Sequence, residues 1–229
     1  NWTRSDRLSR DEVGELRSRL RAEPRNRTLY NQLSDELVRL GDWSTLRELA
    51  LQWQPYDPDN PQVYEILGLA SEHVDDRRVA ERAYASLIEL APGKPELLQR
   101  AGLLLVRVGG ARLAETPLRR ALELLPDRVN SYRHLALMLW LDGRPEEAAR
   151  ILESALGRTF PVWYGDAHRV VRDELAYVYR SWGARSPDDR AGIEDRARDN
   201  GVDLARRDAL RVTLAWETDA NDVDLHVVD

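Results

Sequence analysis

Apolar positions recur at helical spacing over most of this chain, and the spacing itself repeats. Tyr64, Leu67 and Gly68 open one apolar stripe, Ala80 and Tyr84 carry a second, and Pro92 closes the unit. Shifted by 34 residues, Gly68 lands on Gly102, Ala80 on Ala114 and Pro92 on Pro126. A further shift carries Ala114 to Ala148, and stepping back from Pro92 gives Pro58 and Pro24. A fixed period of this size marks an array of two-helix units, each of which buries too little alone and stacks on its neighbours. The prolines cannot continue a helix and so end each unit.

The pattern predicts helix pairs over residues 28–40 and 44–54, 60–74 and 77–90, 95–108 and 111–124, and 129–141 and 145–156. Gly41-Asp42, Gly109-Gly110 and Asp142-Gly143 supply turns within pairs. Ahead of them, Ser9 can cap a helix over 11–22 with Val13, Leu16 and Leu20 on one face. The frame makes that segment the second helix of a repeat whose first helix is absent, so the chain reads as an excerpt. Residues 1–9 read as a loose polar tail. After residue 160 the rhythm breaks at Phe160-Pro161-Val162-Trp163-Tyr164. A helix over 166–182 follows, displaced by about six residues from strict register. Its partner over 187–200 is mostly charged, with Ile193 and Ala197 as its apolar contacts, which suits the terminal cap of a solenoid. From Leu210 the period changes to two: Leu210, Val212, Leu214 and Trp216 predict a strand over 210–216, and a second strand is expected over 223–228.

These residues resemble the tetratricopeptide repeat. Tyr64, Leu67, Gly68, Ala80, Tyr84 and Pro92 fit its pattern, as do Leu98, Gly102, Leu105, Ala114, Leu118, Ala121 and Pro126. Tyr132, Leu135, Ala136, Leu139, Ala148, Leu152 and Ala155 make a third unit, and Tyr30, Leu33, Leu37 and Pro58 a weaker one in which Leu46 and Trp53 replace alanines. The resemblance spans residues 10–160 and implies a right-handed, mainly α solenoid, with residues 161–205 as an irregular capping pair. Small residues at Gly68, Gly102 and Ala136 would permit close helix crossings, with Ala80, Ala114 and Ala148 facing them. Residues 206–229 resemble the start of the YfaP-like bacterial domain of unknown function, which implies the first strands of a small β domain and a periplasmic or cell-envelope setting.

Composition narrows the function classes. A net charge of −6 over 229 residues gives no support to nucleic-acid binding. There is no cysteine, hence no disulfide or thiolate metal site, and no apolar run long enough to span a membrane. Only Lys94 among the 34 basic residues is lysine, which reads as the codon usage of a GC-rich bacterial genome. Asp219, Asn221, Asp222 and Asp224 could hold a hard cation such as calcium, although acidic residues also favour turns on their own account. The four histidines have no zinc-site spacing, and no phosphate loop or nucleophile motif occurs, so neither catalysis nor a cofactor is expected.

The tetratricopeptide resemblance implies a concave groove lined by the first helix of each pair. Carried over, it assigns Asn31, Asp35, Arg39, Gln62, Glu65, Leu69, Glu72, Gln99, Leu103, Asn130, Arg133, Leu137 and Trp140 to a partner-binding surface. Polar groups with Trp140 as an exposed aromatic suit a peptide or protein segment. The chain is therefore expected to be a non-enzymatic interaction scaffold. The alternative is an extracytoplasmic ligand- or cation-binding module in which the repeats are a spacer for the β domain.

Overall fold

The computed structural model of the chain describes residues 4–205, and the regular elements in them are helical. In order they are α1 (Arg4–Ala22), α2 (Arg27–Leu40), α3 (Trp43–Trp53), α4 (Pro61–His73), α5 (Arg77–Leu90), α6 (Pro95–Arg107), α7 (Ala111–Leu124), α8 (Val129–Leu141), α9 (Pro145–Leu156), α10 (Ala167–Arg185) and α11 (Arg190–Asp199). Each helix packs chiefly on its sequence neighbours, which makes the molecule a mainly α repeat array. The two strands expected over 210–216 and 223–228, with the acidic turn between them, lie outside the described residues.

The turn inside each pair shows why the period is strict. Gly41, Asp75, Gly109 and Gly143 recur every 34 residues, and all have positive φ, at 67°, 60°, 84° and 79°. The next N–H in each turn then reaches back to the helix: Asp42 to Leu37, Asp76 to Ser71, Gly110 to Leu105 and Arg144 to Leu139, all within 3.0 Å. This closes the orphan carbonyls of the first helix in a Schellman motif. Asp42 and Asp76 then cap the second helix, accepting from the N–H groups of Thr45 and Val79.

The prolines between units do more than stop a helix. Tyr30, Tyr64 and Tyr132 donate their hydroxyls to the carbonyls of Pro24, Pro58 and Pro126, at 3.3, 2.8 and 2.9 Å. The unit that carries Leu98 in place of tyrosine has no such lock. Below these turns lies a continuous apolar core: Tyr64 packs against both the cluster from Val13 to Ala70 and the one from Ala80 to Val202.

The small residues do mark close crossings, but their partners differ from the expected alanines. A Cβ on Gly68 would lie 2.1 Å from Cε1 of Tyr84, and one on Gly102 would lie 2.5 Å from Cγ of Leu118. A helical side chain leans toward the N-terminus of its own helix, so the larger residue one turn after Ala80 or Ala114 covers the glycine.

Three other expectations shift. α1 begins at Arg4, inside the segment read as a polar tail, because nothing between Arg4 and Arg10 breaks a helix. α10 runs to Arg185, three residues past its expected end. The partner expected over 187–200 is a 3-10 turn, Pro187–Asp189, followed by α11, whose Ile193 and Ala197 are buried as predicted. The α9–α10 connection has ten residues where the α5–α6 and α7–α8 connections have four, which accounts for the six-residue displacement. Phe160 in that connection packs edge-on to Tyr132, with centroids 6.0 Å apart.

Candidate functional site

The first helices of the units, α2, α4, α6, α8 and α10, lie side by side, and polar side chains stitch them together with a period of their own. Glu65 pairs with Arg100 at 2.8 Å, Gln99 Nε2 lies 2.7 Å from His134 Nδ1, and Arg133 pairs with Glu174 at 2.6 Å. The Gln99–His134 separation is 35 residues, and the Arg133–Glu174 separation is 41, larger by the six-residue insertion. Two turns further along the same helices runs a second row. Arg107 pairs with Glu72 at 2.8 Å, and Trp140 donates its indole N–H to Ser181 at 2.7 Å.

Between these rows lies an apolar stripe. Leu69 is four residues after Glu65 and three before Glu72, so it shares their helix face, and Leu103 and Leu137 repeat that position. Past the insertion the equivalent residue is Tyr177. Leu69 and Leu103 are half-buried, while Leu137 and Tyr177 are 45% and 43% exposed. In α2 the same position is Asp35, which is exposed.

The residues assigned to the groove therefore divide. Asp35, Gln62 and Leu137 are exposed, and Leu69 and Leu103 are half-buried. Glu65, Glu72, Gln99, Asn130, Arg133 and Trp140 are engaged within the array. Glu65 is half-buried, and burial raises its carboxyl despite the charge of Arg100. Glu72 accepts from both Arg107 and the Tyr84 hydroxyl, and burial followed by the Glu72 carboxylate pushes that phenol up. Gln99 is buried against His134, whose ring burial holds at about 4, with Arg133 adding to the shift. Asn130 accepts from Arg133, which is 12% exposed and donates Nε and Nη2 to Glu174. Trp140, expected as an exposed aromatic, is instead half-buried, edge-on to Tyr177 with centroids 5.2 Å apart. Asn31 is half-buried with its Oδ1 unpaired, and Arg39 is held by Glu36 and by Glu12.

Sequence reasoning missed Tyr177 and the partners Arg100, Arg107, His134 and Glu174. The signal was present, since adding 35 to Glu65, Glu72 and Gln99 names Arg100, Arg107 and His134, and past the six-residue insertion adding 41 to Arg133 names Glu174 and adding 40 to Leu137 names Tyr177.

At the N-terminal end, α1 and α2 enclose a cleft of about 220 Å³ lined by Glu12, Glu15, Leu16, Arg19, Gln32, Asp35 and Glu36. Where later units carry Ala80 and Leu87, α1 carries Glu12 and Arg19, both exposed. Among the described residues no group of His, Asp or Glu gathers as metal ligands, and no helix is long and apolar enough to cross a membrane. Asp219, Asn221, Asp222 and Asp224 lie outside those residues.

The fold is similar to that of several solved structures. MamA superimposes with a TM-score of 0.53 at 20% identity, over 67% of this chain and 84% of that one. MamA from Desulfovibrio magneticus RS-1, from residue 41 to its end, gives 0.52 at 18%, over 76% and 92%. YrrB, described as a TPR protein with an unusual peptide-binding site, gives 0.52 at 14%, over 81% and 91%. No protein-family model matches the chain, the YfaP-like stretch included, and no curated protein sequence does. At these identities the likeness is one of fold, and the fold is a tetratricopeptide-like helical repeat array.

Proposed function

We propose that this chain is a non-enzymatic interaction scaffold that holds a peptide or protein segment in its concave groove. The observation that carries this reading is the apolar stripe of Leu69, Leu103, Leu137 and Tyr177, flanked by two rows of polar residues that pair with one another across the helices. An exposed apolar stripe costs solubility unless something covers it. Its recurrence at one position of α4, α6, α8 and α10 makes it a row rather than scattered surface residues. The description of YrrB as peptide-binding supports the same use of this fold, by analogy only.

Selection of a displayed random peptide library on the immobilised protein tests the reading. Eluted clones are then compared on wild type, Leu137→Asp and Leu113→Asp. Leu113 lies on the second helix α7 and is equally exposed, at 46%, so it controls for apolar surface outside the groove. Clones that lose binding on Leu137→Asp and keep it on Leu113→Asp are the expected result. Clones that keep binding on both variants would remove the groove from consideration.

A further inference from the structure

The groove has a width, a spacing and a charge pattern, and together they describe what would lie in it. This rests on the groove being the binding surface. The ionised residues beside the stripe from α4 to α8, Glu65, Arg100, Glu72, Arg107 and Arg133, are each held in an ion pair. Nothing there calls for a charged partner, so recognition over Leu69, Leu103, Leu137 and Tyr177 is apolar. At the N-terminal end the character changes. Asp35 takes the stripe position, and it opens on the cleft that also holds Glu12, Glu15 and Glu36, with Arg19 as the one cation lining it among the described residues. Glu36 and Glu12 share Arg39, whereas Asp35 and Glu15 make no hydrogen bond or ion pair with another described residue.

On one helix the two polar rows are seven residues apart, about 10 Å at 1.5 Å per residue, which is the full diameter of a helix with its side chains. An extended segment fits between the rows without displacing their ion pairs. The spacing of the stripe selects the kind of extended segment. Along the stripe α6 packs on α8 and α8 on α10, and packed helices stand about 8–10 Å apart, so Leu103, Leu137 and Tyr177 recur at about that interval. A polyproline-II helix turns once in three residues and rises about 3.1 Å per residue, so every third side chain falls on one face about 9.3 Å from the last. A β-strand would turn alternate side chains away and match poorly. Polyproline II also keeps its backbone solvated, which suits walls whose charged groups are already paired.

We propose that the partner is a polyproline-II segment with an apolar side chain at every third residue, seated on Leu69, Leu103, Leu137 and Tyr177, and a basic side chain one step beyond, seated on Asp35.

The probes are fluorescein-labelled synthetic peptides read by anisotropy. The first places Arg at one end and Leu at every third position, with Pro and Ser between, and is made in both chain directions. The second has the same composition with the leucines out of step. The third replaces Arg by Glu. The proposal expects one direction of the first probe to bind at least about tenfold tighter than the out-of-step probe. It expects Leu103→Asp and Leu137→Asp each to cost about tenfold or more, with unchanged melting curves. Asp35→Asn should weaken the Arg probe only, and added salt should erase no more than the difference between the Arg and Glu probes. Equal binding of the out-of-step probe, or full binding to Leu137→Asp, would overturn the proposal. Library clones separate this failure from that of the groove itself. Clones lost on Leu137→Asp but with apolar residues every seventh position, or with charged cores, would sink this inference and leave the groove standing. Clones indifferent to Leu137→Asp would sink both.

Discussion

Gly68→Ala is a sharp test of the packing, because two effects of opposite sign compete and the structure says which wins. In an open helix the change gains about 1 kcal/mol from propensity. Here the new Cβ would lie 2.1 Å from Cε1 of Tyr84 and 2.6 Å from Cδ1 and Cζ. Ordinary carbon contacts are about 3.5 Å, so the ring must retreat by more than about 1 Å. Tyr84 is fully buried, and its hydroxyl is fixed by Glu72 at 3.0 Å and Arg107 at 3.1 Å. Overpacking costs about 1–3 kcal/mol, and loosening those hydrogen bonds costs about 1 more. Set against the propensity gain, the net is a loss of about 2 kcal/mol, or about 4–8 °C in Tm for a chain of this size. Gly14 is the internal control. It lies within α1, and a Cβ added there would meet nothing within 4 Å, so Gly14→Ala should raise stability by up to about 1 kcal/mol. Urea midpoints of the two variants should therefore move in opposite directions. Gly68→Ala/Tyr84→Ala should be less destabilised than the sum of its parts. A rise in midpoint for Gly68→Ala equal to that of Gly14→Ala would refute the close approach.

Other outcomes follow from particular residues. Asp75 holds the positive φ that glycine holds at the three equivalent turns, so Asp75→Gly should stabilise by about 0.5–1 kcal/mol in urea unfolding, whereas Asp75→Ala should not. His134 is buried neutral, with its pKa lowered from 6.5 to about 4. The unfolded chain therefore takes up this proton first, and stability should fall as pH drops from about 6.5 to about 4, by about 3 kcal/mol in all; His134→Gln should remove that part of the slope. Glu115 is held at about 2 by its hydrogen bonds from Arg144, opposed by burial and helped by Arg119. Its stabilisation is present above about 4.5 and lost as pH falls toward about 2, so Arg144→Ala should flatten the acid limb there and cost about 1 kcal/mol or less at neutral pH.

Much of the fold is written in the period. The bounds of α5, α7, α8 and α9 match the sequence expectation, because a glycine or aspartate at positive φ ends the first helix of a pair and Pro92 and Pro126 follow the ends of α5 and α7. Asp75 was legible by the same count, though its residue type disguises the turn. What the period does not carry is the direction in which a side chain leans, which is why Tyr84 rather than Ala80 stands over Gly68. The candidate site was legible in part. Spacing assigns Leu69, Leu103 and Leu137 to one face, but residue type alone made Trp140 and Arg133 look like binding groups. Their partners Ser181 and Glu174 lie on α10, beyond an insertion that takes the array out of register, and only the folded chain shows those bonds being made.

The central claim, that a segment is held along the concave face, is tested most directly by photo-crosslinking. A benzophenone amino acid is placed at position 137 or, in a separate sample, at position 113, and each protein is irradiated with a library-selected peptide. Crosslinking from position 137, abolished by excess unlabelled peptide and absent from position 113, is the predicted result. Crosslinking from position 113 with none from position 137 would contradict it.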